Sequence, residues 1–376
     1  MKLQMPLLLA VMAITMLYAN NGSLRSRRGK YACVAAVTLI LTFFSGFRSW
    51  WMGDLIKYYT LFRNCNGSEW ASYVFEDSTN MGLRLLFRLI GGLGMKYEVV
   101  IFLIAAFSAI ALGVLVQRYS PSPFWSYTMW IAMGFYLFTY SGLKQTVAMA
   151  CLMLAMVGLL ENRFWTFLIW TVIGGTFHAP VYVFLVAYTF ARMKFGRGYL
   201  VSVAAVVVLA LIFRGTVVSF MSEMYYDERE WQQAEGVGGR FLMMALIMVV
   251  SMFLRPLRKG DEVYNKLFNM MVLSLALQSF SVFSNNFTRL TDYYFQFVVL
   301  FMPLMLQTSD SKTYVRTIPG QGSRAFSFSS STYLLVYAGI ALFAIYYYDH
   351  YIDSSWALLN DFKFFWELDP YALYGV

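Results

Sequence analysis

Charge is what this chain most lacks. Of its 376 residues only 13% are charged, while 59% are hydrophobic and 19% aromatic, and its mean hydropathy is +0.57. An ordinary soluble domain carries roughly 25% charged residues, so a water-soluble fold of this length could not cover its surface. Three cysteines are too few for a disulfide-rich secreted scaffold, and the aromatic content excludes disorder. Cys33 and Cys151 fall in apolar runs, and Cys65 lies in a polar loop with no loop partner, so no disulfide is expected. There are only two histidines, neither with metal-ligand spacing around it. A P-loop, a dinucleotide fingerprint, GxSxG and HExxH are all missing. Nucleotide-driven transport and soluble-type hydrolysis lose support accordingly.

What is present is apolar sequence in long runs. Membrane spans of ~20 residues, about a dozen of them, would use two thirds of such a chain. Twelve segments stand out, at 4–20, 31–46, 97–117, 124–140, 144–160, 164–178, 179–192, 199–214, 240–254, 264–284, 290–307 and 331–348. The expected fold is all-α, a single polytopic membrane domain over 1–376. A further stretch, 81–95, carries Arg84, Arg88 and four glycines among its apolar residues and reads as an interfacial or re-entrant helix. The segment 308–330 reads as a polar loop.

The net charge of +9 is explained by orientation rather than by nucleic acid, which is not an expected partner. The basic residues sit in short loops. If the loop with Arg25, Arg27, Arg28 and Lys30 is cytoplasmic, alternation sends Arg118, Arg163, Arg192/Lys194/Arg197, Arg255/Arg258/Lys259 and Lys312/Arg316/Arg324 to the same side. The acids there are Glu161, Asp261, Glu262 and Asp310; the rest face the other compartment. Both termini then come out external, and residues 1–20 read as an uncleaved first span rather than a signal peptide, because the basic cluster follows the apolar run. The long external pieces are 47–96, 215–239 and the tail 349–376, which are expected to carry or cover the site. Their aromatics (Trp50, Trp51, Trp70, Tyr225, Tyr226, Trp231, Trp356, Trp366) fit an interfacial belt or a surface for sugar rings and lipid.

Ionisable groups at the membrane are costly and mark function. Those at external span ends are Arg48, Asp54, Arg84, Arg88, Lys144, His178, Arg214, Arg240, Arg289 and Asp292. Lys144, in YSGLKQTVAMA, heads the fifth span, where a snorkelling lysine competes with an anion site. Gly142 and Gln145 beside it, with the helix N-terminus, favour a phosphate. His178, in GGTFHAPV, suits proton transfer or an anion contact at a broken helix end, or is a hydrogen-bonded core histidine. Arg289 and Asp292, in SNNFTRLTDYYFQF, are spaced for a local i, i+3 ion pair, while an arginine fork also suits phosphate. With Lys144 and Arg48 it would form a diphosphate clamp. Glu76-Asp77 could ligate a divalent ion but sits among Ser and Asn as a solvated pair would; no metal site is expected.

These landmarks, in this order, resemble the EpsG family of bacterial exopolysaccharide and O-antigen polymerases, similar in role to Wzy proteins. The resemblance rests on FRSWWMGDLIKYYTLF (Arg48, Gly53, Asp54, Tyr58, Phe62) and on NMGLRLLFRL (Gly82, Leu85, Leu86, Leu89, with Asn80 where an acid is usual). It continues in Gly142-Leu143-Lys144-Gln145, with Lys for the usual Arg, in Phe177-His178-Ala179-Pro180, and in Arg289-Leu290-Thr291-Asp292-Tyr293-Tyr294.

The resemblance implies a GT-C-like membrane glycosyltransferase. It would polymerise undecaprenyl-diphosphate-linked oligosaccharides into surface polysaccharide at the outer face of the bacterial inner membrane, without a cofactor. Its partners would be that lipid substrate, membrane lipid and a chain-length regulator. Arg289, Lys144, Arg48 and Gln145 would bind the diphosphate. His178, with Asp54 as the alternative, would be the catalytic base. Arg84, Arg88, Tyr58, Asp292 and Tyr293 would contact substrate lipid or sugar. A ligase or single-sugar glycosyltransferase would use the same donor chemistry. A transporter or flippase is a different class, disfavoured by the absence of internal repeats and of ionisable residues at midplane. A purely structural membrane subunit would not need the one-sided polar cluster.

Overall fold

A computed structural model describes residues 4–20, 26–50, 54–67, 69–77, 80–212, 238–254, 260–282, 286–306, 314–318, 322–326, 330–353 and 362–367. Among these the chain is helical apart from one hairpin. The helices are α1 (Gln4–Asn20), α2 (Arg27–Gly46), α3 (Leu55–Arg63), α4 (Trp70–Phe75), α5 (Met81–Gly92), α6 (Tyr97–Tyr119), α7 (Pro123–Ala132) and α8 (Phe138–Ser141). They continue as α9 (Leu143–Leu160), α10 (Phe164–Phe177), α11 (Ala187–Arg192), α12 (Arg197–Ile212), α13 (Gly239–Leu254), α14 (Glu262–Gln278), α15 (Asn286–Phe295), α16 (Val298–Leu306) and α17 (Ser330–Tyr347). Within the described residues, each apolar segment marked in the sequence is largely occupied by helix. Among the described residues three helices, α2, α6 and α9, are long and apolar enough to cross a membrane by length and composition. Shorter apolar helices accompany them in α1, α10, α12, α13 and the 179–192 stretch. The protein is embedded in a membrane.

Where segments were expected to run straight, several are interrupted, each for a local reason. The 124–140 segment stops at Gly134, whose φ of +83° only glycine adopts cheaply, and resumes through a 3-10 turn, Phe135–Leu137, into α8. The 290–307 segment begins four residues earlier than expected, and α15 gives way to α16 around Gln296 and Phe297. The boundary at 178/179 becomes a break at Pro180, which lacks an N–H and restricts the residue before it; a 3-10 stretch, Ala179–Val186, follows. The polar loop expected at 308–330 contains a two-stranded antiparallel hairpin, β1 (Tyr314–Ile318) and β2 (Gly322–Phe326), with Arg316 opposite Arg324.

Helix α9 is the hub. It is buried on all sides, from Leu143 and Gln145 to Leu159 and Leu160, and packs most extensively on α10 and α6. Close approach is enforced by small residues. A Cβ on Gly158 would stand 2.6 Å from the Phe167 backbone nitrogen, and one on Gly174 would stand 3.1 Å from Cys151 Cβ. Two apolar cores result. The larger unites α1, α2, α6, α7, α9 and the later helices. The smaller joins α3, α4 and α5 to the Leu143, Val147 and Cys151 end of α9, so the three short helices are built onto the N-terminal half of the hub. Cys33, Cys65 and Cys151 are buried and free; Cys65 lies against Gly91 of α5 rather than in an open polar loop.

At the other end of α9, Lys266 closes the helix. Its Nζ donates to the Leu160 carbonyl at 3.1 Å and Asn162 Oδ1 at 2.9 Å and pairs with Glu262 at 2.8 Å, while only 4% of the residue is exposed. The ammonium thus meets carbonyls that a helix C-terminus leaves unsatisfied. Lys266→Met strands those acceptors. It is expected to lower stability by roughly 1–3 kcal/mol, read as a fall in the thermal unfolding midpoint of the solubilised protein. The contact also holds the Glu262 carboxyl below its usual range. That contribution is complete near neutral pH and is lost as the pH falls below the ordinary glutamate value of about 4.3.

Candidate functional site

The N-terminal end of α9 is where the expected site residues gather. Gly142 separates α8 from α9, and its carbonyl accepts from Thr146 N at 2.8 Å to close the first turn. This leaves Lys144 half-buried in that turn, with its Nζ 6.0 Å above the Tyr58 ring of α3. Gln145 is 5% exposed, and its side-chain nitrogen has no hydrogen-bond partner among the described residues.

His178 faces this turn from α10. The helix ends with His178 N donating to Gly174 O at 3.0 Å, and the residue is extended, φ −151° and ψ 99°, because the following Ala-Pro pair cannot continue an α-helix. The ring is buried. Nδ1 shares a hydrogen with Tyr293 Oη of α15. Lys144 and Arg289 are both within electrostatic reach of that ring. Three elements far apart in sequence therefore meet here: the head of α9, the broken end of α10 and the first turns of α15.

Gly82 of α5 positions the histidine. A Cβ there would stand 2.8 and 2.9 Å from Phe177 ring carbons, closer than packed atoms come. Gly82→Ala is expected to push Phe177 and the adjoining His178 out of register. The predicted cost is about 1–3 kcal/mol, measured by unfolding of the solubilised protein.

Asp292 does not pair with Arg289, three residues away, as the local spacing suggested. It forms an ion pair with Arg240 at the head of α13, and Arg289 acts on it only at longer range. Asp292 is 1% exposed, as is Gln296 one turn later. Asp292 Oδ2, Gln296 Oε1 and Arg240 Nε are buried without partners among the described residues. Arg289 thus acts electrostatically on both His178 and Asp292. Arg240 was visible in the sequence only as one more cation at a span end. Its partner lies 52 residues away, beyond any local spacing rule.

Arg48 is held differently. It is 1% exposed, with its guanidinium on the Ser45 carbonyl and, through Nε at 3.4 Å, on the Tyr140 carbonyl; the Tyr140 ring lies 5.5 Å away. Nη2 has no partner among the described residues. The C-terminal segment covers it: Ser49 N donates to Lys363 O at 2.7 Å and Phe365 N to Phe47 O at 3.0 Å, bridging Arg48 to Phe364. Arg48 therefore braces the backbone just before Gly142, beneath a strap of this chain.

The remaining expected residues lie in the α3–α5 cap. Asp54 is about half exposed and pairs with Lys57 at 3.3 Å. Arg84 is buried and donates to the Tyr73 carbonyl at 2.8 Å and to Glu76. Arg88 donates to the Cys65 carbonyl and, at 3.1 Å, to Asn66 Oδ1. Both arginines are turned toward α3 and α4, tying the cap together. Glu76 is spent on Arg84, and Asp77 accepts from Asn80 Nδ2, the position where an acid is usual. Among the described residues no three His, Cys, Asp or Glu side chains come together as a metal site would need. Trp51, Gly53, Arg214, Tyr225, Tyr226, Trp231 and Trp356 lie outside the described residues.

The EpsG family model matches residues 31–319, a stretch that contains Arg48, Asp54, Lys144, His178 and Arg289. The chain belongs to the EpsG family. No curated protein and no solved structure matches it. Membership in EpsG makes this a membrane protein of polysaccharide biosynthesis. Within the matched stretch, Gly82 packs on Phe177 and Tyr293 bonds His178, both at the end of α10.

Proposed function

We propose that this EpsG protein is a polysaccharide polymerase acting on undecaprenyl-diphosphate-linked oligosaccharides. The observation that carries the reading is a buried His178 ring held by Tyr293 within the electrostatic reach of both Lys144 and Arg289. Two cations beside a buried imidazole suit a reaction in which a proton leaves a hydroxyl while negative charge develops on a diphosphate.

In the transfer, the acceptor hydroxyl of an incoming lipid-linked unit attacks the anomeric carbon of the growing chain. A new glycosidic C–O bond forms, and the bond from that carbon to the lipid diphosphate oxygen breaks. The bonding pair goes with the leaving diphosphate, whose charge is met by Lys144 and Arg289. The hydroxyl proton passes to His178. When Nδ1–H donates to Tyr293 Oη, Nε2 carries the lone pair that receives the proton. In that tautomer Tyr293 holds the ring orientation. Gln145 supplies a neutral donor beside Lys144, and Arg48 keeps the Gly142 turn in place, with Nη2 still able to donate. The buried acceptors Asp292 Oδ2 and Gln296 Oε1 suit sugar hydroxyls. Asp54, exposed and paired with Lys57, is the alternative base; Tyr58, Arg84 and Arg88 shape the entrance. No step needs a cofactor.

The remainder of the reading concerns the membrane. Twelve spans in a GT-C-like arrangement, with both termini and the head of α9 on the outer side of the bacterial inner membrane, agree with the distribution of basic residues. A chain-length regulator would be a partner. The deciding experiment is deletion of the gene followed by gel analysis of surface polysaccharide. Loss of the ladder with one repeat retained supports a polymerase; complete loss of sugar transfer to the final acceptor favours a ligase, and accumulation of untransported lipid-linked units favours a flippase.

Tyr293→Phe leaves the imidazole without its hydroxyl partner. About a 10- to 100-fold fall in chain-extension rate is expected, on the scale of a lost orienting contact, with unchanged retention of lipid-linked substrate.

A further inference from the structure

An apolar crevice of about 260 Å3 opens between α5, α6, α9 and α10. Its floor is Val147 and Cys151, 4% and 1% exposed, and its lips include Leu103 and Ile173, 40% and 37% exposed. Leu86 and Phe177 also line it. The lining is hydrocarbon throughout, yet one end meets charge. Val147 lies three residues beyond Lys144 on α9, so the two share a helix face, and Phe177 immediately precedes His178.

We propose that this crevice holds the head-proximal isoprene units of the lipid whose diphosphate lies at Lys144 and Arg289. The inference rests on the polymerase reading for the identity of the lipid. It goes beyond that reading in placing one tail between α6 and α10 rather than against any other apolar face. Charge complementarity selects the occupant. A molecule filling both places needs a hydrocarbon chain joined directly to an anionic head, with no bulky glycerol between them, because Val147 is only one turn from Lys144. A prenyl diphosphate has that shape. The volume admits only a few isoprene units, so the rest of the chain stays in the bilayer.

The crevice offers orientation more than affinity. Lipid tails are already in an apolar solvent, so entering an apolar crevice gains packing contacts rather than a hydrophobic driving force. Packing that fixes the first units of the chain fixes where the diphosphate arrives, and arrival in one geometry is what a two-substrate transfer requires.

The test therefore reads position. The full-length protein in nanodiscs is photolabelled with a prenyl diphosphate carrying a diazirine on its second isoprene unit, and the labelled peptides are mapped. Label concentrated on peptides containing Leu103, Val147 and Ile173, and displaced by long-chain polyprenyl diphosphate but not by added phosphatidylglycerol, is the expected result. The Leu103→Trp/Ile173→Trp double variant fills the crevice from its exposed lips and is expected to cut that labelling about tenfold, equivalent to ~1.4 kcal/mol. Leu246→Trp, on an exposed part of α13, should leave it unchanged. Label spread equally over peptides containing Leu246 and other exposed apolar positions, or displaced equally by phosphatidylglycerol, overturns the proposal. Photolabelling needs no turnover, so the two readings fail separately. Crevice labelling without polymer formation sinks only the polymerase. Polymer formation with label elsewhere sinks only the crevice.

Discussion

Lys144→Ala and Arg289→Ala are each expected to reduce chain extension by about 10²–10³-fold, the scale of losing one preorganised charge partner for a leaving group. Both side chains act electrostatically on His178, so under the proposed mechanism the diphosphate loses half of its charge stabilisation when either is removed. Neither residue is a keystone of the fold. Lys144 and Arg289 are both only partly buried, and solubilised protein should be recovered in normal amounts. Lys144→Arg distinguishes an electrostatic role from a snorkelling one. A guanidinium at the head of α9 keeps the charge and adds a bidentate fork, so activity should be retained. His178→Ala belongs to the same experiment and should also abolish the polymer ladder. Normal long-chain product from all three alanine variants would remove the basis for the polymerase reading. Product of one repeat only, with intact lipid-linked precursor, would support it.

Asp292→Ala is expected to be the most destabilising single change, by about 3–5 kcal/mol, because it leaves a largely buried guanidinium without its counter-charge. The Asp292 side chain is 2% exposed and that of Arg240 20%. The pair ties α13 to α15, and the Arg240 guanidinium also lies 5.5 Å from the Phe295 ring. Unfolding of the detergent-solubilised variant should show the loss directly. The double variant Asp292→Leu/Arg240→Met removes both charges and should recover much of the stability, since a buried ion pair is often replaceable by apolar side chains. Activity separates the roles. If Asp292 only braces the fold, the double variant polymerises normally. If its second carboxylate oxygen receives a sugar hydroxyl, the double variant is stable but poorly active, with the loss in KM for the lipid-linked acceptor.

Much of the fold could be read from the sequence because apolar runs are a one-dimensional signal. Each marked segment is helical because backbone polar groups in hydrocarbon must be satisfied within the element that carries them. Breaks were legible where the chemistry is local, as at Gly142 and at Pro180. They were less legible at Gly134 and Gln296, where the surrounding residues are as apolar as those inside the helices. The amphipathic character of 81–95 was readable, but its purpose was not. What the sequence did not show is that Arg84 and Arg88 also donate to carbonyls and side chains of the α3–α4 segment. An arginine in a sequence announces its charge; only folding supplies the carbonyls that turn it inward.

The sequence alone determined that this is a helical membrane protein and where its apolar helices fall, though not α3 and α4, and that Lys144, His178 and Arg289 stand near helix ends. Tertiary structure decided the partners. It joined Tyr293 to His178, gave Asp292 to Arg240 instead of Arg289, and covered Arg48 with the segment around Phe364. The division has a physical origin. Hydropathy and helix breaking depend on residues within a turn or two of one another. A hydrogen bond or ion pair across the bundle depends on which faces α9, α10 and α15 bury together, and that is fixed by close packing of side chains along the whole length of those helices.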